Sequence, residues 1–286
     1  MNRTVTLRNG VQMPAIGFGT YKIAAGGEDQ IAAAIRAGYR HLDTAAYYKN
    51  EEEVGEGIRR SGVPRGELFL TTKAWTGDMG YYNVMRTFAK SCERLGTDYI
   101  DLYLIHWPRV PANDPDWERT NAETWHALED LYSAGRVRAI GVSNFLKHHL
   151  QALEETAMIL PMVDQLEYHP GWTWSETVRF AQAAGMIVEG WSPLGRTRVL
   201  ENELLCALAQ KYGCNVGQLC LRWAMQNGVV PLPKTASPER LKSNLELDFF
   251  VISPEDMAAI DAMPALGWSG LHPDEQGAPV AMDAEE

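Results

Sequence analysis

The chain has 286 residues, 45% of them hydrophobic and 22% charged, enough apolar surface for an ordinary globular core. A formal charge of −11 argues against a broad nucleic-acid or anionic-membrane surface, so an anionic ligand must be met by a local cluster of cations. No apolar run approaches bilayer length, and residues 1–4 lead straight into patterned sequence, so neither a membrane span nor a signal peptide is expected. Cys92, Cys206, Cys214 and Cys220 show no Cys-x-x-Cys spacing and read as reduced thiols, which suits a cytoplasmic location.

Taken in order, Val5 to Met13 forms two short strand-like runs about Asn9-Gly10, a strong hairpin signal. One rhythm follows. Ile16 to Gly19 reads as a strand, and the alanine-rich Asp29 to Ala37 as a helix stopped by Gly38. Strands are predicted at 40–43, 68–73, 99–106, 137–142, 162–166, 186–189 and 229–233. Helices are predicted at 51–60, 82–95, 123–134, 148–155, 175–184, 201–212, 216–226, 238–247 and 254–262. Beyond Met263 a Pro/Gly-rich, acidic tail is expected to lie over the surface or move.

Strands alternating with helices imply parallel pairing through right-handed crossovers. Eight such units with no break in composition predict one domain, 1–286: an α/β fold of the (β/α)8 TIM-barrel type, with an N-terminal β-hairpin and extra C-terminal helices. The rival is an open doubly wound sheet. Gly17-Phe18-Gly19 lacks the third glycine that its dinucleotide fingerprint needs.

The strands end on Asp43, Lys73, His106, Ser143-Asn144, Gln165, Trp191-Ser192 and Lys234. A polar residue must follow a buried strand in any fold, which accounts for Ser143 or Gln165 taken singly. It accounts poorly for an aspartate, a lysine and an imidazole in successive units, because a barrel gathers its strand ends on one rim. With Tyr48 on that rim the chemistry becomes specific. A phenol is a poor acid near neutrality; a neighbouring ammonium is expected to lower its pKa, and a carboxylate keeps that ammonium from being buried alone. Tyr48 could then protonate a carbonyl oxygen that His106 also hydrogen-bonds. No nucleophile or metal cage is offered, so the electrons must come from a cofactor, most simply as hydride.

These residues lie in motifs that resemble the aldo-keto reductase family over nearly the whole chain. Gly38 to Gly55 is similar to its first signature, Ala139 to Phe145 to the segment on its fifth strand, and Leu232 to Asn244 to its cofactor-phosphate signature. His106-Trp107-Pro108 and Gln165-x-Glu167-x-His169-Pro170 match as well. The resemblance implies a catalytic tetrad of Asp43, Tyr48, Lys73 and His106, and its Asp-x4-Tyr-x-Asn-Glu spacing selects Tyr48 over Tyr47 as general acid. It implies NADPH (NADP+) as cofactor. Ser143, Asn144 and Gln165 would hold the carboxamide, and Trp191, where many members have tyrosine, would stack on the nicotinamide. Gly19, Thr20, Ser192 and Leu194 would line the cofactor path. Lys234, Thr235 and Arg240 would take the 2′-phosphate, and Asn244 would face the adenine.

Tyr21, Tyr47, Trp75 and Trp107 are expected to form an aromatic collar for a small carbonyl substrate, with Trp172 a further candidate beside them. The short Pro193-to-Leu200 connection implies an open site, and a monomer is expected. His41, His148, His149, His169 and Met85 receive structural readings, so no metal is assigned. Three functional classes remain open: a carbonyl reductase, a non-catalytic NADPH-binding regulatory subunit on the same scaffold, and a metal-dependent barrel hydrolase. The last lacks a His-x-His pair.

Overall fold

Asn9-Gly10 turns the chain as expected: β1 (Thr4–Thr6) and β2 (Gln12–Pro14) pair antiparallel, with Gly10 at a φ of 85°. A computed structural model describes residues 3–276. Strand and helix then alternate through β3 (Phe18–Gly19), α1 (Glu28–Ala37), β4 (His41–Asp43), α2 (Glu51–Ser61), β5 (Phe69–Ala74) and α3 (Tyr81–Leu95). The alternation continues through β6 (Ile100–Ile105), α4 (Trp117–Ser133), β7 (Val137–Ser143), α5 (Lys147–Glu154), β8 (Val163–Glu167) and α6 (Ser175–Ala183). It closes with β9 (Ile187–Trp191), α7 (Glu203–Tyr212), α8 (Val216–Gln226), β10 (Val229–Pro231), α9 (Pro238–Ser243), α10 (Pro254–Asp261) and α11 (Pro273–Gln276).

The strands from β3 to β10 pair parallel in sequence order. Gly17 N donates to Pro231 O at 3.0 Å and Gly19 N to Pro233 O at 3.1 Å, joining the first strand to the last. The fold is the expected (β/α)8 barrel. Every residue of β5 and β6 is buried, because one side fills the lumen while the other meets the helices. The seam is crowded at Gly17, where a Cβ would lie 2.5 Å from Leu232 Cδ2 and 2.9 Å from His41 Nδ1, so a larger residue would have to displace those side chains. Around the outside, α1 buries Ile31, Ala32, Ala34 and Ile35 and keeps Glu28 and Asp29 in its first turn, where the N–H groups are unpaired.

Two boundaries differ from expectation by four residues or more. Helix α4 begins at Trp117 rather than Glu123, because its first turns are held by polar contacts. Asn121 Oδ1 accepts from Arg109 N at 2.8 Å, and Asn121 Nδ2 donates to Arg109 O at 3.0 Å. Hydrophobic periodicity carries no trace of such an anchor. Helix α9 ends at Ser243 rather than Leu247.

Part of the C-terminal tail is tied down. Leu266 N donates to Gly171 O, Ser269 N and Oγ bond both oxygens of Glu167, and Trp268 stacks on Trp172 at 4.8 Å. The rest of that tail, 277–286, lies outside the described residues. Among the described residues no helix is long and apolar enough to cross a membrane.

Candidate active site

Asp43 closes β4, Lys73 lies near the end of β5, and His106 follows β6, so the barrel itself brings these three side chains to one rim. Lys73 is fully buried; its Nζ donates to Asp43 Oδ1 and Oδ2 at 2.8 and 2.7 Å and to Thr44 O at 2.9 Å. All three ammonium hydrogens are thus engaged, and the charge is buried as a pair.

Tyr48 ends a single 3-10 turn, Ala46–Tyr48, which Lys49 leaves in a left-handed conformation at φ 52°. Asn50 holds that turn in place: its Nδ2 donates to Thr20 O at 2.8 Å and Ile23 O at 3.2 Å, while its Oδ1 accepts from Thr44 Oγ1 at 3.0 Å. The Lys73 ammonium lies 5.1 Å from the Tyr48 ring centre, and the His106 ring meets Tyr48 edge-on at 5.5 Å.

The electrostatics correct one expectation. The phenol of Tyr48 is not lowered by Lys73. Burial holds it well above its ordinary value of 10.0, and the Asp43 carboxylate raises it further. Lys73 is paired with Asp43 at contact distance, and its charge does not offset the cost of burying an ionised phenol. Burial, with the Lys73 charge adding to it, holds the His106 imidazole well below its ordinary 6.5. Around neutrality the site therefore presents a protonated phenol and a neutral imidazole.

Of the expected collar, Tyr47 and Trp75 stack at 3.8 Å with 19° between their planes, and both rings meet His106 edge-on. Tyr21 lies 5.0 Å from Tyr48. Burial raises the Tyr21 phenol, Tyr47 adds to this, and the charge of Arg196, in the 192–200 connection, opposes it. Trp107 is buried and makes no ring contact with this group among the described residues. Trp172 belongs elsewhere: it stacks on Trp268 and meets Trp174 edge-on at 5.3 Å. Its place in a cluster built by the C-terminal strap could not be read from neighbouring residues.

Several of the expected cofactor residues form one network. Ser143 Oγ donates to Gln165 O at 2.9 Å. Asn144, at a φ of 62°, donates from Nδ2 to His106 O at 2.9 Å and Ser143 Oγ at 3.1 Å, and its Oδ1 accepts from Trp191 Nε1 at 2.9 Å. Gln165 Nε2 donates across the lumen to Asp43 Oδ2 at 2.8 Å. Gly19 sits tight against the last strand, where a Cβ would be 3.1 Å from Leu232 O, and Thr20 Oγ1 donates to Asp43 O at 2.9 Å. Ser192 takes a φ of 49°, its carbonyl accepts from Gly195 N at 2.8 Å, and Leu194 packs half-buried on the core.

Lys234 and Arg240 are exposed and form no ion pair among the described residues, while Lys242 lies 3.8 Å from Glu246. Thr235 is buried and its carbonyl accepts from Gln30 Nε2. Asn244 is also buried, and it eases the burial of the Tyr39 phenol beside it. These features suit a dinucleotide: two exposed cations in no contact ion pair, a part-buried indole at Trp191, and a Gln165 Oε1 that accepts no hydrogen bond from a described residue.

The sequence reading gave no role to Asn50, Arg196 or Glu189. Two of them carried a signal: Asn50 stands in the Asp-x4-Tyr-x-Asn-Glu motif, and Glu189 is a charge inside an otherwise apolar strand. Away from the rim, His148, His149 and Asp274 bring three ligand atoms within 4.8 Å of one another, a convergence that the separate structural readings of the two histidines did not foresee. Leu146 N donates to His149 Nδ1 at 3.0 Å, so in the neutral ring the proton is on Nε2, facing Asp274 Oδ1 at 3.0 Å. That arrangement anchors the C-terminal strap to α5.

The comparisons with known proteins agree with this fold. Residues 15–264 match the sequence model described as the Aldo/keto reductase family. Glyoxal reductase of Bacillus subtilis is 47% identical over 274 residues, spanning 95% of this chain and 96% of that protein. Morphine 6-dehydrogenase of Pseudomonas putida is 41% identical over 275 residues, spanning 91% and 90%. The crystal structure of a Bombyx mori aldo-keto reductase in complex with NADP superposes with a TM-score of 0.84 at 34% identity, covering 91% of this chain and 92% of that one. With a barrel of this order and a match of this length, the chain belongs to the aldo/keto reductase family of oxidoreductases.

Proposed function

We propose that the protein is an NADPH-dependent carbonyl reductase in which Tyr48 is the general acid. The observation that carries this reading is the contact-paired Lys73 and Asp43 beneath Tyr48, with a neutral imidazole at its edge. Bound NADPH would supply a hydride to the carbonyl carbon. The chain's own residues do the rest. Tyr48 keeps its proton until negative charge develops on the substrate oxygen, then donates it there. Lys73 stabilises the resulting phenolate, and Asp43 holds Lys73 in place. His106, neutral, orients the same oxygen by hydrogen bonding. Trp191 would support the nicotinamide ring, Ser143, Asn144 and Gln165 its carboxamide, and Lys234, Thr235 and Arg240 the 2′-phosphate.

The stacked Tyr47/Trp75 pair beside His106 gives a flat wall, suited to aldehydes and ketones of modest size. The names glyoxal reductase and morphine 6-dehydrogenase support small dicarbonyls and ring ketones as the compounds to try first. The test is NADPH oxidation with glyoxal and with a simple aromatic aldehyde. Wild type should turn both over, and Tyr48→Phe should lower kcat about 10²- to 10⁴-fold while still binding NADPH. Full turnover by Tyr48→Phe would overturn the assignment of the acid.

A further inference from the structure

The barrel interior beside Asp43 holds a second acid that the proposed reaction does not use. Glu189 of β9 is fully buried and lies in register with Gln165 of β8. Gln165 Nε2 donates to Glu189 Oε2 at 2.8 Å and to Asp43 Oδ2 at 2.8 Å. An amide nitrogen has two hydrogens, and both are used. Turning the amide over would set its carbonyl oxygen against Asp43 Oδ2, an acceptor already bonded to Lys73, so the side chain keeps this orientation. Its Oε1, which no described donor reaches, is thereby fixed.

The other groups facing Glu189 are accounted for. Its Oε1 is 3.5 Å from His41 Nε2, whose nearer partner is Thr71 Oγ1 at 3.0 Å. Lys73 is committed to Asp43 and Thr44. Burial and the Asp43 carboxylate push Glu189 up to about 8, and burial with the Lys73 charge lowers His41 to about 3. Near neutrality Asp43 is therefore the only charged partner of Lys73, and Glu189 serves as a neutral acceptor. A carboxyl buried this deeply is costly unless it has a task, and its one good hydrogen bond is to Gln165.

Building on the reading above, we infer that Glu189 is a positioning residue for the cofactor: through Gln165 it holds an amide oxygen ready to accept from the nicotinamide carboxamide. It touches no reacting atom. Its effect should therefore depend on the carboxamide N–H.

The experiment compares NADPH with its reduced 3-acetylpyridine analogue, in which a methyl ketone replaces the carboxamide and no N–H remains. Affinities are read from quenching of protein tryptophan fluorescence in the full chain. Glu189→Met, close in volume and without an acceptor for Gln165, should weaken NADPH about tenfold and the analogue less than about twofold. Glu189→Gln, which restores an acceptor, should recover most of the NADPH affinity. Should Glu189→Met fail to fold, Glu189→Ala carries the same comparison.

Equal weakening of both dinucleotides would show a merely structural role and overturn the inference, as would no weakening of either. A wild type that binds NADPH but reduces no carbonyl would sink the proposed function while leaving this comparison readable.

Discussion

At the residue scale, the departure of Trp191 from the common tyrosine has a physical consequence. Its indole N–H donates to Asn144 Oδ1, and Asn144 in turn grips the His106 carbonyl and the Ser143 hydroxyl. A phenol in that place has no donor at the same point of its ring. The indole is therefore a platform fixed at its edge as well as packed on its face. Trp191→Phe keeps a flat, smaller face and removes the hydrogen bond, so the Kd for NADPH should rise about threefold to tenfold. Trp191→Ala, losing the face too, should cost more. Titration calorimetry with both variants checks this, and a Trp191→Phe protein that binds like wild type would show that the hydrogen bond does not matter.

At the element scale, cofactor choice is expected to depend on the start of α9. Ser237 caps the helix by accepting from Arg240 N at 3.2 Å, Pro238 occupies the first turn, and Arg240 and Lys234 stand exposed. Two exposed cations that form no contact ion pair among the described residues give a chain of net charge −11 a local place for an anion. Lys234→Ala should raise the KM for NADPH tenfold or more, at roughly 1.5–3 kcal/mol for a charge-assisted bond, and leave that for NADH nearly unchanged. Ser237→Ala should loosen the helix start by about 1 kcal/mol and move the NADPH KM in the same direction, but less. Equal effects on the two nicotinamides would remove the 2′-phosphate from the argument.

For the whole molecule, the barrel tolerates buried acids at a cost that pH reveals. Asp164 on β8 is fully buried, neither of its oxygens has a hydrogen-bond partner among the described residues, and burial holds its carboxyl well above the ordinary 3.8. Unfolded, it releases its proton near 3.8; folded, it keeps it. The native state then binds more protons as pH rises above 3.8, so this residue's contribution to stability falls through that window. Asp164→Asn cannot ionise and should unfold at higher urea concentration than wild type at pH 7, the gap closing towards pH 4. An identical gap at both pH values would refute the burial argument.

The order of strands and helices, the closed-barrel architecture and the placing of Asp43, Lys73 and His106 at strand ends were legible in the chain alone. Each of these follows from local periodicity plus one rule of topology. Choosing Tyr48 over Tyr47 needed the Asp-x4-Tyr-x-Asn-Glu motif of the family that the chain resembles. What only the tertiary structure decided are contacts between residues far apart in sequence: Gln165 with Asp43, Trp191 with Asn144, and Asp274 with His148 and His149. The direction of the Tyr48 titration belongs here too, because it is set by how deeply the fold buries the phenol and by the Asp43 carboxylate brought beside it. Apolar patterning records which face a side chain turns to the core. It does not record which polar atom that side chain meets there, and the chemistry of this barrel lies in those meetings.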